Sequence, residues 1–357
     1  SHLSRSSIRF GLLCCLWYGS SALSSNTGKA ILNRFKYPIT LTIVQFGFVA
    51  IWCALFISIR EGGFWGIKKP TKSTIHGTLT MSLFSITGHI FSSMAIARVP
   101  VSTVHTIKAL SPLFTVIAYA GLFGVRYGFA TYFSLLPLTL GVMLACSFDL
   151  RANGTGFLCA LGSTIIFVSQ NIYGKKLLPQ ENDESKGLTN KSSSSSNSNG
   201  KMDKLNLLFH SSAIAFLLMI PIWIWFDLIS IFTLWLDPIS NLNLSSNTHQ
   251  NSTSSSLMFY FFCNGTVHFT QCILAFSILS RTSPVTYSIA SLIKRIAVIC
   301  IAIVWFGQPV SSIQAFGMLL TFSGLYIYNQ SKSAIDKGEL KRGKFERKHD
   351  LLLPRTQ

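Results

Sequence analysis

The chain reads as an all-α membrane protein of ten transmembrane helices, arranged as two inverted five-helix repeats. Three observations predict this. Apolar runs recur along all but the ends of its 357 residues, Lys and Arg gather between alternate runs, and the second half matches the first in register. The composition, 49% hydrophobic and 12% charged with a mean hydropathy of +0.45, lies outside the range of soluble globules.

A helix needs about 20 apolar residues to cross a bilayer. Runs of that kind occupy roughly 10–32, 39–59, 74–97, 101–124, 127–148, 154–174, 205–227, 257–279, 284–307 and 310–330. The seventh is the least clean, because Asp227 interrupts a run that goes on to Leu236. Trp223, Trp225 and Trp235 flank it as interface anchors. The eight cysteines fall mostly inside apolar runs, as Cys14, Cys15, Cys53, Cys146 and Cys300 do. Their spacing fits neither a metal site nor a disulfide framework, so they read as small apolar packers.

Orientation follows from the cations. With ten spans, both termini share one side with the even-numbered loops. Of the 30 Lys and Arg residues, 22 fall on that side, 4 on the other and 4 within or at the edges of spans. The positive-inside rule makes that side, with both termini, cytosolic. A net charge of +18 could suggest a nucleic-acid partner, but no basic stripe with interleaved aromatics is present, so none is expected. Residues 180–203 and 239–256 are Ser/Asn-rich and read as disordered loops. The second carries the sequons Asn243-Leu-Ser and Asn251-Ser-Thr, a hint of a lumenal face. The units expected are therefore 1–150, 151–331 and a basic cytosolic tail, 332–357.

The repeat itself is gapless over its clearest part. A shift of 183 residues lays Arg98 on Arg281, Thr103 on Thr286, Gly124 on Gly307 and Gly141 on Gly324. Near the start, Gly11-Leu-Leu-Cys14 matches Gly156-Phe-Leu-Cys159, and Asn26 matches Asn171. Five spans per unit is an odd number, so the copies must lie in opposite orientations. Inverted repeats with a midplane site between them mark secondary transporters.

The candidate site is cationic. Lys108 lies inside the fourth span, and Lys294-Arg295 inside the ninth. In the repeat frame Lys108 corresponds to Ser291, and Lys294 stands one helical turn beyond it. A charge at bilayer depth costs several kcal/mol by any scale and marks a function by default. No obvious buried carboxylate accompanies these three, so the partner should be an anion arriving from solution. His105 precedes Lys108 by one turn, and His89 and Ser92 form an i, i+3 pair in the third span. Phosphate suits such a set, since Arg offers a bidentate fork and Lys a point charge. The plainer alternative is that Lys108 or Arg295 snorkels, pairs with backbone carbonyls or satisfies a helix kink near Pro112. Lys29, near the end of the first span, reads as snorkelling. No Gly-rich phosphate loop, metal-spaced His/Cys set or paired acids within a span point to an enzyme, a cofactor or a metal.

These residues resemble those of the plastidic phosphate translocators, the triose-phosphate transporters of the drug/metabolite transporter superfamily. The likeness covers nearly every span. Its most specific pieces are Asn26-Thr-Gly-Lys-Ala-Ile-Leu-Asn33 with Tyr37-Pro38, Gly88-His89, Val101 to Lys108-Ala, Asn171-Ile-Tyr-Gly-Lys-Lys176, and Ser283-Pro284 leading to Leu292-Ile-Lys-Arg295. The resemblance implies that Lys108, Lys294 and Arg295 bind a substrate phosphate, with His89 and Ser92 facing the same site. It implies exchange of inorganic phosphate for a phosphorylated three-, five- or six-carbon metabolite. Two cavity positions depart from the family: Gln170 replaces an Arg and Gln271 a Tyr, so triose phosphate itself is not assured. The Ser/Asn-rich loops look more similar to fungal members of endoplasmic reticulum or Golgi membranes than to those of the plastid inner envelope. A nucleotide-sugar transporter of the same superfamily, or a non-transporting trafficking or scaffold factor, is the alternative.

Overall fold

A computed structural model describes residues 5–61, 72–123, 127–177, 204–236, 250–281 and 284–331, and among them there is no strand. The helices are α1 (Arg5–Arg34), α2 (Pro38–Glu61), α3 (Lys72–Arg98), α4 (Val101–Lys108), α5 (Ser111–Phe123), α6 (Phe129–Ala152), α7 (Gly154–Leu177), α8 (Lys204–Trp223), α9 (Ile229–Leu236), α10 (Gln250–Arg281) and α11 (Pro284–Phe306). A last helix, α12, covers 312–331. Among the described residues, 7 helical stretches are long and apolar enough to cross a membrane. The middle of α1 is more polar, with Ser20, Ser21, Ser24, Ser25, Asn26, Thr27 and Lys29 in three turns.

Two expected elements are redrawn. The fourth span is not one helix: α4 and α5 are separated at Ala109–Leu110, where N–H groups bond three residues back, to Thr106 and Ile107. Pro112 explains the break, because its ring displaces the carbonyl one turn earlier and it has no N–H to give. Of the loop expected over 239–256, residues 250–256 belong to α10, which begins at Gln250, and 239–249 lie outside the described residues. Residues 250–256 contain neither Gly nor Pro, so the helix set by the apolar run after them extends backward through Ser and Asn at little cost. The other loop and the tail lie outside the described residues.

Hydrophobicity does not drive helix association where the solvent is itself hydrocarbon; close packing of small residues does. The junction of α6 and α12 follows that rule. A Cβ placed on Gly141 would lie 2.4 Å from the backbone N of Thr321, and one on Gly324 would lie 2.4 Å from that of Leu138. A shift of 183 residues converts one contact into the other. Elsewhere α1 packs on α10 and α3 on α7, a second pair that exchanges under the repeat. Two further partnerships, α2 with α8 and α4 with α11, map onto themselves.

Helix ends inside the bundle are satisfied by side chains from other helices. The chain around Ile224–Leu228 takes one π-turn, and this turns Asp227 inward, 5% exposed. Its Oδ2 accepts from the N–H of Thr40 at 2.7 Å and from the Thr40 hydroxyl at 2.8 Å. A carboxylate thus meets the positive end of α2. Lys29 does the converse: its Nζ donates to the carbonyls of Ile96, Ala97 and Val99 at 2.7, 3.4 and 3.2 Å, closing the C-terminal end of α3. It is a cap within the bundle, not a chain reaching for the interface. Gly307 ends α11 at φ 56, with Gln308 N–H bonded to Ile303 and Gly307 N–H to Val304, a Schellman closure. That turn presents Gln308, whose Oε1 accepts from Ser102 Oγ at 2.8 Å and fastens α11 to the start of α4.

Gly324→Ala should lower the thermal midpoint of the detergent-solubilised protein, through an overpacking cost of about 1–3 kcal/mol. Gly121→Ala, whose added Cβ would meet nothing within 4 Å, should leave the midpoint where it is. Equal midpoints for the two variants would refute the close α6–α12 contact.

Candidate anion site

Six helices, α1, α3, α4, α5, α7 and α11, meet around the three cations. Lys294 and Arg295 are adjacent on α11, so their side chains leave the helix about 100° apart. Lys294 turns toward α1, with its Nζ 4.4 Å from the centre of the Trp17 ring. Arg295 turns toward the α4–α5 break, where its Nη1 donates to the Lys108 carbonyl and its Nη2 to Ser111 Oγ at 3.0 Å. In an unbroken helix that carbonyl would accept from residue 112, which is Pro112 and has no N–H. The guanidinium therefore supplies the donor that the proline removes, and the plainer role allowed by the sequence for Arg295 is present in the fold. Lys108 Nζ donates to Ser92 Oγ at 2.7 Å and lies 5.4 Å from the centre of the Phe167 ring.

Among the described residues the partners of Lys108 and Lys294 are thus a hydroxyl and aromatic faces, none of which cancels a charge. A cation over an aromatic face gains roughly 0.5–2 kcal/mol, well short of the cost of a bare charge at this depth. Lys108, Lys294, Arg295 and His89 are each part-exposed as whole residues. The site is therefore positive and roofed by aromatic rings.

Neutral polar groups form the rest of the wall. His89 stands one turn before Ser92 on α3, edge-on to the rings of Phe46, Phe167 and His268 at 5.3, 5.3 and 5.5 Å. His105 sits 3.1 Å from Ser25 Oγ and within the field of all three cations. Behind His89 a buried network links α1, α2 and α10. Gln45 Nε2 donates to Asn264 Oδ1 at 2.9 Å, and Asn264 Nδ2 donates to the Ser24 carbonyl and to Thr27 Oγ1, both at 2.8 Å. His268 Nδ1 lies 3.4 Å from Ser24 Oγ.

Of the residues singled out from sequence, Lys108, Ser92, Arg295, Lys294 and His89 share one region. Gln170 follows Phe167 by one turn and precedes Tyr173 by another, and those rings meet His89 and Phe84 of α3. Gln170 thus lies on the face of α7 that packs on α3. Gln271 follows His268 by one turn on α10. Both glutamines are part-exposed, and neither is brought into contact with the cations. Trp17, Phe167, Gln45, Asn264 and His268 were not anticipated. The last three carried a usable signal as amide or imidazole groups inside apolar runs, whereas an aromatic among many aromatics carried none.

The chain matches the model of the triose-phosphate transporter family over residues 8–329. It is 46% identical to a protein of Schizosaccharomyces pombe described as a transporter, over 91% of this chain and 67% of that one. It is 30% identical to the uncharacterized transporter SLY41 of Saccharomyces cerevisiae, over 92% of this chain and 82% of that one. It is 29% identical to the chloroplastic phosphoenolpyruvate/phosphate translocator 1 of Oryza sativa subsp. japonica, over 91% of this chain and 72% of that one. The chain belongs to the triose-phosphate transporter family: it is an integral membrane transporter and not an enzyme.

Arg295→Gln should destabilise the protein by about 1–3 kcal/mol, because the Lys108 carbonyl loses a charged donor. Pro112→Ala added to it restores an N–H for that carbonyl and should recover part of the lost thermal midpoint. No recovery in the double variant would show that Arg295 does not stand in for the missing N–H.

Proposed function

We propose that the protein is a secondary antiporter that exchanges inorganic phosphate for a small phosphorylated metabolite of the triose-phosphate, phosphoenolpyruvate or sugar-phosphate type. The observation that carries this reading is the meeting of Lys108, Lys294 and Arg295 inside the bundle, where among the described residues the lysines have neutral partners. The rice relative, a translocator of phosphoenolpyruvate and phosphate by name, agrees with the chemistry. Phosphate and its monoesters share the one feature those cations select, a compact dianion with several acceptor oxygens.

The architecture we infer is ten spans in two inverted units, with a midplane site. Contacts that exchange under the 183-residue shift support it, as does an asymmetry between equivalent positions. Asn26 is wholly buried, while its counterpart Asn171 is exposed. Two halves with the same pattern in unlike surroundings can trade places, which is what alternating access requires. Both termini belong on the cytosolic side by the charge distribution. An endoplasmic reticulum or Golgi membrane is the setting we favour, because the relative of highest identity named here is from a yeast, which has no plastids.

Electrostatics makes the exchange obligatory. Closing an empty site would bury three positive charges without a counter-ion, and a penalty of only about 3 kcal/mol slows that step about a hundredfold. A bound anion removes the penalty, so the loaded carrier changes sides and the empty one waits.

The test is uptake of labelled phosphate by liposomes containing the purified protein. Uptake should require phosphate or a phosphate ester inside, and Lys294→Ala should reduce it by about tenfold or more. Equal uptake into empty vesicles, or an unaltered rate in the variant, would sink the exchanger.

A further inference from the structure

A groove on the outside of the bundle is lined by none of the three cations. Its floor is α1, at Leu23 and Thr27, and its walls are α10 and Trp305 in the last turn of α11. Phe259, Phe262, Cys263 and Val267 supply most of the α10 wall, and Phe259, Phe262 and Trp305 are exposed. The space measures about 600 Å³, within the range of small-molecule sites, about 300–1,000 Å³. Among the described residues no charged side chain lines it, and its two threonine hydroxyls are engaged. Thr27 Oγ1 donates to the Leu23 carbonyl at 2.7 Å and accepts from Asn264 Nδ2 at 2.8 Å. Thr266 Oγ1 accepts from Trp52 Nε1 at 3.3 Å. A sugar or a phosphate would leave water for a wall with little to bond it, which is costly. Hydrocarbon gives up nothing there.

Length and mouth say which hydrocarbon. From Ser256 to Val267 α10 rises about 16 Å, and from Leu23 to Arg34 α1 rises the same. Half of a bilayer's hydrocarbon core is about 15 Å, the depth of one leaflet. Arg34 therefore stands at the mouth when Leu23 lies at the deep end. It is exposed, with its guanidinium carbon 5.3 Å from the centre of the Tyr260 ring, which also lines the groove. Lys36 is exposed two residues further on. The guanidinium fork suits a phosphate oxygen pair, and two cations at a membrane surface favour a head group of net negative charge. We propose that this groove binds one acidic phospholipid, with an acyl chain between α10 and Trp305 and the phosphate on Arg34. The chain then lies against Thr27 and shields its bond to Asn264, which links α1 to α10.

The test places the full chain in phosphatidylcholine liposomes with a trace of phosphatidylserine bearing a photoreactive diazirine in its acyl chain. Light fixes the probe where it sits, and mass spectrometry of the fragments maps it. The outward face of α6, with Phe133, Leu136 and Leu140 exposed, reports ordinary lipid contact. Labelling should concentrate on residues 256–267 and Trp305, and unlabelled phosphatidylserine should compete it away more steeply than it does the labelling of α6. Cys263→Trp, which fills the groove, should bring its labelling down to the α6 level. Arg34→Gln should weaken it about fivefold, as loss of one basic residue at a membrane surface does. Groove labelling no denser than that of α6 in the unaltered protein overturns the proposal, whether or not the variants fold. A second copy of the chain seated in the groove would give that result. Labelling that either variant leaves unchanged overturns it as well. Phosphate uptake enters none of these measurements, so the exchanger stands or falls separately.

Discussion

Within hydrocarbon, every charge and every spare backbone group must find its partner inside the protein, because no water stands by to serve. The interior of this bundle is organised by that constraint. Asp227 goes to the start of α2, Lys29 to the end of α3, and the guanidinium of Arg295 to a carbonyl that Pro112 leaves without a donor. Each of these charges is absorbed by the fold. Lys108 and Lys294 are absorbed only in part, by a hydroxyl and two rings. The difference between absorbed and unabsorbed charge separates scaffold from site more sharply than depth in the membrane does.

Much of this was legible in the sequence. Apolar length placed the helices, because a bilayer fixes how many residues a span must have. Rare polar types inside those lengths placed Lys108, Lys294, Arg295, His89 and Ser92. Roles were harder to read than places. Lys29 and Arg295 look alike in sequence as cations in or near spans, and only the positions of other helices' ends show that both serve carbonyls. The break after Lys108 was announced by Pro112, yet its donor comes from a helix far along the chain. The Gln45–Asn264 link joins residues of unremarkable spacing, and nothing short of the packed bundle brings them together.

Arg295 occupies both categories, and that ties the site to the fold. Its guanidinium has five N–H donors, so bonds to Lys108 and Ser111 leave capacity for an anion. In the proposed site, the same residue that repairs the α4–α5 break therefore fixes where a phosphate sits relative to Lys108. A lysine could supply the charge, but its single ammonium could not hold a carbonyl and a hydroxyl in a planar fork while still addressing an oxyanion.

The scarcity of acids completes the electrostatic logic. The chain has only 12 Asp and Glu, and Asp227, the buried acid among the described residues, is bound to Thr40 rather than to a cation. An acid beside Lys108 or Lys294 would form a buried ion pair, and removal of either partner from such a pair is costly, so the pair would persist. The empty site would then be neutral and could close without a cargo. Phosphate would have to displace the carboxylate to bind, and any carrier that closed empty would leak instead of exchanging. Under the proposed exchange, leaving the lysines to a serine, a phenylalanine and a tryptophan keeps the empty state unfavourable and the phosphate place vacant. In the exchanger we propose, weak, neutral partners around strong cations are the arrangement that couples the movement of one anion to the return of another.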